Sequence, residues 1–244
     1  MHINDGFTIV VPTYCEANNI KELLKRIHDN DFRHQQFEII LVDDNSQDGT
    51  IEIVNELIRS YPHLKLIIRQ GKRNLSAAIL DGLLQAKFAL VVTMDADLSH
   101  PPEKINELLN ALINNNADLV IGSRYVTGGN VDPTWPLPRK IASRLSAFVA
   151  RKLFVPNITD PLSGFLALNK EKILSISQLE PIGWKIGLEI IVKCHCKNIY
   201  EVPIHFSQRL RGKSKLNFKI ASAYFYHIFR LLQYKLSLKK FPSL

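Results

Sequence analysis

"ALVVTMDADLSHPPEK", residues 89–104, runs apolar and then stops at two carboxylates, Asp95 and Asp97, one residue apart. Charge at the end of a buried strand is costly unless something positive meets it. Similar apolar runs lie on either side: "FTIVV" (7–11), "FEIILV" (37–42), "LKLII" (64–68) and "ADLVI" (117–121). Between them apolar residues recur at helical spacing, as in Ile20, Leu23, Leu24 and Ile27, and again in Ile105, Leu108, Leu109 and Leu112. Continuous apolar strands alternating with amphipathic helices predict an α/β fold whose parallel sheet is covered on both faces. Such sheets bind ligands beyond the carboxyl ends of their strands.

Polar residues gather at those ends. The first strand ends in "PTYCE" (12–16), the second in "DDNSQDGT" (43–50) and the fifth in "GSRY" (122–125). Two readings stand for Ser46, Asp48 and Thr50: part of a site, or caps of a helix beginning near Ile51. Ser99 reads as a cap for the helix that opens with Pro101 and Pro102. Asp95 and Asp97 are different, because one cap needs only one of them. Two hard oxygen ligands close together suit Mg²⁺ or Mn²⁺ bridging a diphosphate. No GxGxxG follows the first strand, so a dinucleotide oxidoreductase loses its main support. Residues 126–164 break the alternation with a Gly/Pro-rich loop, a helical pattern and "DPLSGF", a second region folded onto the first.

The net charge of +8 is not evenly spread. Residues 205–244 hold nine Lys or Arg and no Asp or Glu, which leaves residues 1–204 nearly neutral. A local basic segment calls for an anionic partner. Seven of the 21 aromatic residues lie between Phe218 and Phe241, and Phe218, Ala221, Phe225, Phe229, Leu232 and Leu236 are near helical spacing. With Arg230, Lys235, Lys239 and Lys240, this segment reads as a basic interfacial helix or as a helix docked on the domain or a partner. No apolar run nears the roughly 18 residues that span a bilayer, and no basic n-region of a secretory signal is visible. Three cysteines point to a reducing compartment. In "CHC" (194–196), residues two apart do not share a helical face, so ordinary helix residues are expected there.

In order along the chain, "VVPTYCE", "VDDNSQDGT", "MDADLSHPPE", "IGSRYVTGG", "DPLSGF" and "RLRGKSKL" resemble the family-2 glycosyltransferases of GT-A fold. Within that family the chain is most similar to the dolichol-phosphate mannosyltransferases, from about Phe7 to Leu216. The resemblance implies a Rossmann-like, mostly parallel sheet flanked by helices. It places the glycosyltransferase domain at 1–216, with a nucleotide-binding half at about 1–125 and an acceptor-side half at 126–216. The basic aromatic helix takes 217–244.

Site roles follow from the same resemblance. Pro12, Tyr14, Glu16 and Asp44 are expected to line the nucleoside pocket. Asp95, Ala96 and Asp97 hold the donor and its metal, and Ser99 stands where the family often has a Gln ligand. Arg209 and Lys215 approach the donor phosphates, while Arg124, Arg139 and Ser143 hold the acceptor phosphate. The implied partners are GDP-mannose or another nucleotide sugar, dolichyl or polyprenyl phosphate, the cytosolic face of a membrane and a small membrane-anchor subunit; nucleic acid is not among them.

The residues lean the same way on chemical grounds. A sugar hydroxyl needs a general base, whereas a phosphate monoester is already an anion and needs cations to hold it in line. Arg139, Lys140 and, one helical turn on, Ser143 offer such a face. Glu189, in an apolar helical pattern, is expected to pair with a cation rather than act as base. Transfer of glucose or another hexose, a soluble acceptor, a non-catalytic nucleotide-sugar-binding subunit and a nucleic-acid binder remain alternatives at this level.

Overall fold

The computed structural model describes residues 6–32, 35–174, 179–209 and 218–240. The first half alternates strands and helices: β1 (Phe7–Thr13), α1 (Ile20–His28), β2 (Phe37–Asp43), α2 (Thr50–Ile58), β3 (Leu64–Ile68), α3 (Leu75–Gln85), β4 (Leu90–Thr93), α4 (Ile105–Asn114) and β5 (Leu119–Ser123). The second half adds β6 (Asn130–Val131), α5 (Leu137–Leu153), β7 (Leu166–Asn169), α6 (Lys170–Leu174), α7 (Ile186–Lys193), β8 (Ile199–Pro203), β9 (His205–Phe206) and α8 (Phe218–Lys240).

Seven strands form one sheet in the order β3-β2-β1-β4-β7-β5-β8. All neighbours are parallel except β7, which runs antiparallel between β4 and β5. The sheet is the mostly parallel one expected from the sequence, with β7 as its antiparallel exception. The exception has a topological cause: the segment 124–165 lies at the carboxyl edge, so the strand that follows it enters the sheet from that edge. "LALN" is buried along its whole length and carries no sign of direction.

Period-two alternation sorts the β1 and β2 side chains into two layers. Ile9, Val11, Ile39 and Leu41 join the α1 and α4 residues Leu23, Leu24, Leu108 and Leu109. Val10, Ile40 and Val42 join Ala78, Ile79 and Leu83 of α3 on the other face. A third cluster joins α5, α7 and α8 through Ala147, Ala150, Leu188, Ile228 and Leu231. β1 pairs with β2 on one side and β4 on the other. Because the chain builds outward through β2 and β3 before crossing to β4, a crevice opens at the carboxyl ends of β1 and β4.

α3 reaches the sheet at Gly82, where a Cβ would overlap Val10 Cγ1 and meet Val42 Cγ2 at 3.2 Å. Gly82→Ala should therefore destabilise the protein by about 1–3 kcal/mol despite alanine's better helix propensity. Urea denaturation checks this, and adding Val10→Ala should recover part of the loss. A stabilised Gly82→Ala protein would contradict the packing.

Candidate active site

The tail of β1 is held by the loop after β2. Cys15 N donates to Ser46 Oγ at 2.7 Å, Glu16 N to Thr50 Oγ1 at 2.9 Å and Ala17 N to Asp48 Oδ2 at 3.2 Å. Behind them the fully buried Asp43 accepts from Thr13 Oγ1, Ser46 N and Ser46 Oγ. All three residues considered as caps of α2, Ser46, Asp48 and Thr50, thus tie the tail of β1 to the segment after β2. The cap position itself is Gly49, without a side-chain bond. Asp48 does accept from Thr50 N at 3.1 Å. Cys15, Asn45 and Leu98 all have positive φ, at 59°, 57° and 63°. Each follows a strand facing the crevice, where strained backbone is held by its surroundings.

After β4 the chain delivers Asp95 and Asp97. Asp97 is buried. Its Oδ1 accepts from Ser99 N at 3.0 Å and Ser99 Oγ at 2.5 Å, and its Oδ2 meets Arg209 Nε at 2.7 Å. Ser99 is fully buried behind this carboxylate. It therefore orients Asp97 and does not face the crevice as a ligand; nor does it cap the following 3-10 turn, whose cap position is Pro101. Asp95 is more open. His100 Nδ1 lies 3.8 Å from its carboxylate and accepts from its backbone N at 3.0 Å. Burial pushes the His100 pKa down, so this ring is a neutral prop with its proton on Nε2.

A single cleft of about 230 Å³ is lined by Pro12, Tyr14, Glu16, Asp44, Asp95, Ala96, Asp97, Arg124, Arg139 and Arg209. The sequence reading had singled out every one of these. Three of its expected residues are not in that lining: Ser99, which lies behind Asp97, and also Ser143 and Lys215. Ser143 Oγ instead accepts from Tyr125 Oη at 2.7 Å, and Lys215 lies outside the described residues. Asp44 is already engaged, by Arg69 and by Asn74 N at 2.8 Å. Asn74 also caps α3 through Ala77 N.

The cations differ in how far their charge is already used. Arg124 is buried and donates from Nε and Nη2 to Asp160 at 2.7 Å each, with its backbone N on the same carboxylate. Its charge is balanced, so as a phosphate ligand it offers its remaining N–H groups rather than a free charge. Arg139 lies over the Trp135 ring, 3.6 Å from the centroid. Burial and then neighbouring Arg209 push the Arg139 pKa down. Two guanidiniums are thus held near each other, a costly arrangement unless an anion joins them.

The sequence reading missed Arg73, Trp184 and Lys185, all on the same cleft. The Arg73 guanidinium lies between Tyr14 and Trp184, 4.1 and 5.4 Å from their centroids. Lys185 donates to Leu162 O at 2.9 Å, and burial followed by Arg124 lowers its pKa to about 8. The segment "PIGWKIGLEI" was a signal, but no spacing rule singles out a lysine that long-range folding brings to Asp160 and Arg124. Glu189 pairs with Lys193 at 2.8 Å and His227 at 3.3 Å, the structural role expected of it. Cys194 and Cys196 lie beyond the end of α7, not on a helix.

Residues 8–175 match the family described as glycosyl transferase family 2. The chain belongs to this family. It is 43% identical over 230 residues to a dolichol-phosphate mannosyltransferase of Pyrococcus furiosus, matching 93% of this chain and 64% of that one. It is 35% identical to a dolichol-phosphate mannosyltransferase of Saccharomyces cerevisiae, over 94% of this chain and 88% of that one. The fold is that of a mannosyltransferase from Pyrobaculum calidifontis solved with GDP-Man and Mn²⁺: the TM-score is 0.65 at 20% identity, covering 92% of this chain and 64% of that one.

In this family-2 glycosyltransferase the donor set at the β4 end fits a hard divalent cation. Asp95 faces the cleft with no cationic side chain in hydrogen-bond range among the described residues, and only Arg209 balances Asp97. Glu16 registers the surplus negative charge. Its pKa is raised to about 7, first by burial and then by Asp97 and Asp95, against the Asn19 hydrogen bond and Arg209. A carboxyl with a raised folded-state pKa favours folding at low pH and loses that contribution as pH rises. Metal-free protein should therefore lose stability between pH 4.5 and about 7, and Glu16→Gln should flatten that part of the profile. Urea denaturation across the range checks it; an unchanged slope in the variant would contradict the assignment.

Proposed function

We propose that the chain is an inverting transferase that moves mannose from GDP-mannose to dolichyl or polyprenyl phosphate. The observation that carries this reading is the meeting of two acidic residues and two converging arginines, Arg139 and Arg209, in one cleft at the carboxyl ends of β1, β2 and β4. The names of the two relatives support the donor sugar and the acceptor class.

The chemistry matches the division of charge. An acceptor phosphate oxygen attacks the anomeric carbon, and the bond from that carbon to the nucleoside diphosphate breaks. The attacking group is already ionised, so no general base is required. Pro12, Tyr14, Glu16 and Asp44 form the nucleoside wall, and the Arg73 sandwich gives that wall a flat cationic edge. Arg209 is placed to follow the charge that develops on the leaving diphosphate. Asp95 and Asp97 would hold Mg²⁺ or Mn²⁺, which when bound neutralises diphosphate charge as a Lewis acid. Arg139, with the spare donors of Arg124 and with Lys185 behind them, holds the acceptor phosphate in line.

Access to a lipid falls to α8. No helix among the described residues is long and apolar enough to cross a membrane. α8 buries Ile228 and Leu231 on the domain but leaves Phe225, Tyr226, Phe229 and Leu236 exposed. The buried face fits a helix docked on the domain, and the exposed aromatic face supports the interfacial reading. The exposed face is suited to rest on a membrane surface.

Asp97→Asn should lower turnover by about two orders of magnitude or more while urea denaturation shows a folded protein. Full activity of that variant, or of the unmodified protein in excess chelator, would sink the assignment. Arg139→Ala should weaken use of polyprenyl phosphate about tenfold or more. Affinity for the nucleotide sugar, measured by calorimetry, should hardly change. Loss of donor binding instead would move Arg139 to the donor side, and equal use of uncharged polyprenol would remove the acceptor-phosphate role.

A further inference from the structure

A second cleft, of about 590 Å³, lies between α5 and the segment after β5. Lys140, Arg144 and Arg151 line it from α5, at positions i, i+4 and i+11 that fall on one side of a helix. The facing wall is Tyr125 and Gly129–Val131, with Thr159 at one end, and no carboxylate belongs to the lining. Among the described residues none of the three cations makes an ion pair. Lys140 donates to Pro133 O at 2.7 Å, and the buried Nε of Arg151 has no hydrogen-bond partner. The acidic groups beside the lining are all engaged: Asp160 by Arg124, Asp132 by Thr134 N, and Glu201, behind Thr159. The Glu201 oxygens accept from Thr159 N, Thr159 Oγ1 and Asp160 N. Arg124 stands between this cleft and the donor cleft and lines both, but its charge belongs to Asp160.

Three uncompensated cations and a buried, unpartnered guanidinium N–H describe an anion site. Its surroundings indicate what carries the anion. The adjoining row of α5, Leu137, Ile141, Leu145 and Phe148, is exposed, each residue by more than half of its surface. On a helix these positions lie within about a quarter-turn of the basic row. A free phosphate has no use for such a row, whereas a lipid headgroup arrives attached to one.

We propose that Lys140, Arg144 and Arg151 form a binding site for the phosphate of an anionic phospholipid, with its acyl chains against the Leu137–Phe148 row. The site is separate from the donor cleft and needs no particular identity of the transferred sugar. It holds the catalytic domain at a charged leaflet in a fixed orientation, which exposed charge alone does not do.

The test uses the full chain with vesicles of phosphatidylcholine, with and without phosphatidylglycerol. Each Lys or Arg near an anionic leaflet contributes about a fivefold factor in binding, so Arg144→Gln with Arg151→Gln should weaken binding to the phosphatidylglycerol vesicles about thirtyfold. A charge-matched control, Lys21→Gln with Arg59→Gln, removes two exposed cations on α1 and at the end of α2, away from α5 and α8, and should cost little. Equal losses would mean that diffuse charge does the work and would overturn the site. Nucleotide binding by calorimetry confirms that both variants fold. Should Arg151→Gln unfold the chain, Arg144→Glu alone, at an exposed position, gives the same comparison against Lys21→Glu.

A second arm separates lipid from free phosphate. Monomeric short-chain phosphatidylglycerol should raise the Tm of the unmodified protein and not that of the double variant, and inorganic phosphate at the same concentration should do much less. If inorganic phosphate raises Tm as far, the ligand is a free anion and the lipid assignment fails.

Discussion

The carboxyl edge of the sheet depends on how the charge of Asp95 and Asp97 is compensated. β4 is buried along its length, so the chain cannot end it in two acids without providing for them. Asp97 receives two donors from Ser99 and one ion pair from Arg209. Asp95 receives only a neutral ring and an opening. Glu16, whose pKa burial raises to about 7, is pushed the same way by Asp97 and Asp95. The imbalance also explains why Arg209, on the far side of β9, lies across the cleft: it is the one cation near enough among the described residues to touch Asp97. A divalent cation would enter an acidic site that is partly, not fully, compensated, and would do so without first breaking a closed network at Asp95.

The fold was legible because its signals are local. The five apolar runs became β1 to β5 with ends shifted by about two residues, and both helical sets became buried faces of α1 and α4. β7 was not legible as antiparallel, because a strand buried on both faces carries no directional pattern. In the site, the residues at strand ends were found by position, since a parallel sheet fixes where such residues go. Lys185, Arg73 and Trp184 arrive from α7, the α3 approach and the loop between them, and only the tertiary fold brings these together. Ser99 stands where the resemblance has a frequent Gln ligand, but here its buried hydroxyl turns back to the Asp97 carboxylate two residues before it.

Ion pairing divides the basic residues into two kinds that composition does not distinguish. Arg124 with Asp160, Arg69 with Asp44 and Asp81, and Lys193 with Glu189 are bound within the protein. They fix loops and helices around the cleft. Removing one partner of such a pair leaves a buried charge behind, so these arginines carry structural weight whatever else they touch. Arg139, Arg144 and Arg151 have no such partner among the described residues, and all three belong to α5. α5 thus carries several of the domain's cations that have no ion pair among the described residues, while Arg73 and Lys185 bring others to the donor cleft.

Helix α5 has distinct faces, and their order around its axis has a mechanical consequence. Ala147 and Ala150 are buried against α7 and α8, and being small they let those helices come close. Arg139 looks into the donor cleft, Lys140, Arg144 and Arg151 line the second cleft, and Leu137, Ile141, Leu145 and Phe148 face outward. A helix with its side chains is about 10–12 Å across. A surface that covers the outward row therefore lies within about that distance of the donor cleft. On the proposed membrane reading, a lipid phosphate at that surface would meet Arg139 by moving about one helix diameter. The exposed aromatic face of α8, packed on α5 through Tyr224 to Ser146 O at 2.7 Å, extends the same surface. Because α8 also pairs Arg230 with Glu180, whose backbone N donates to Glu189 on α7, the outward helices are braced to the segment that carries Trp184 and Lys185. On the same proposal, the depth at which the domain would rest on a surface and the geometry of its cleft are set by the same contacts.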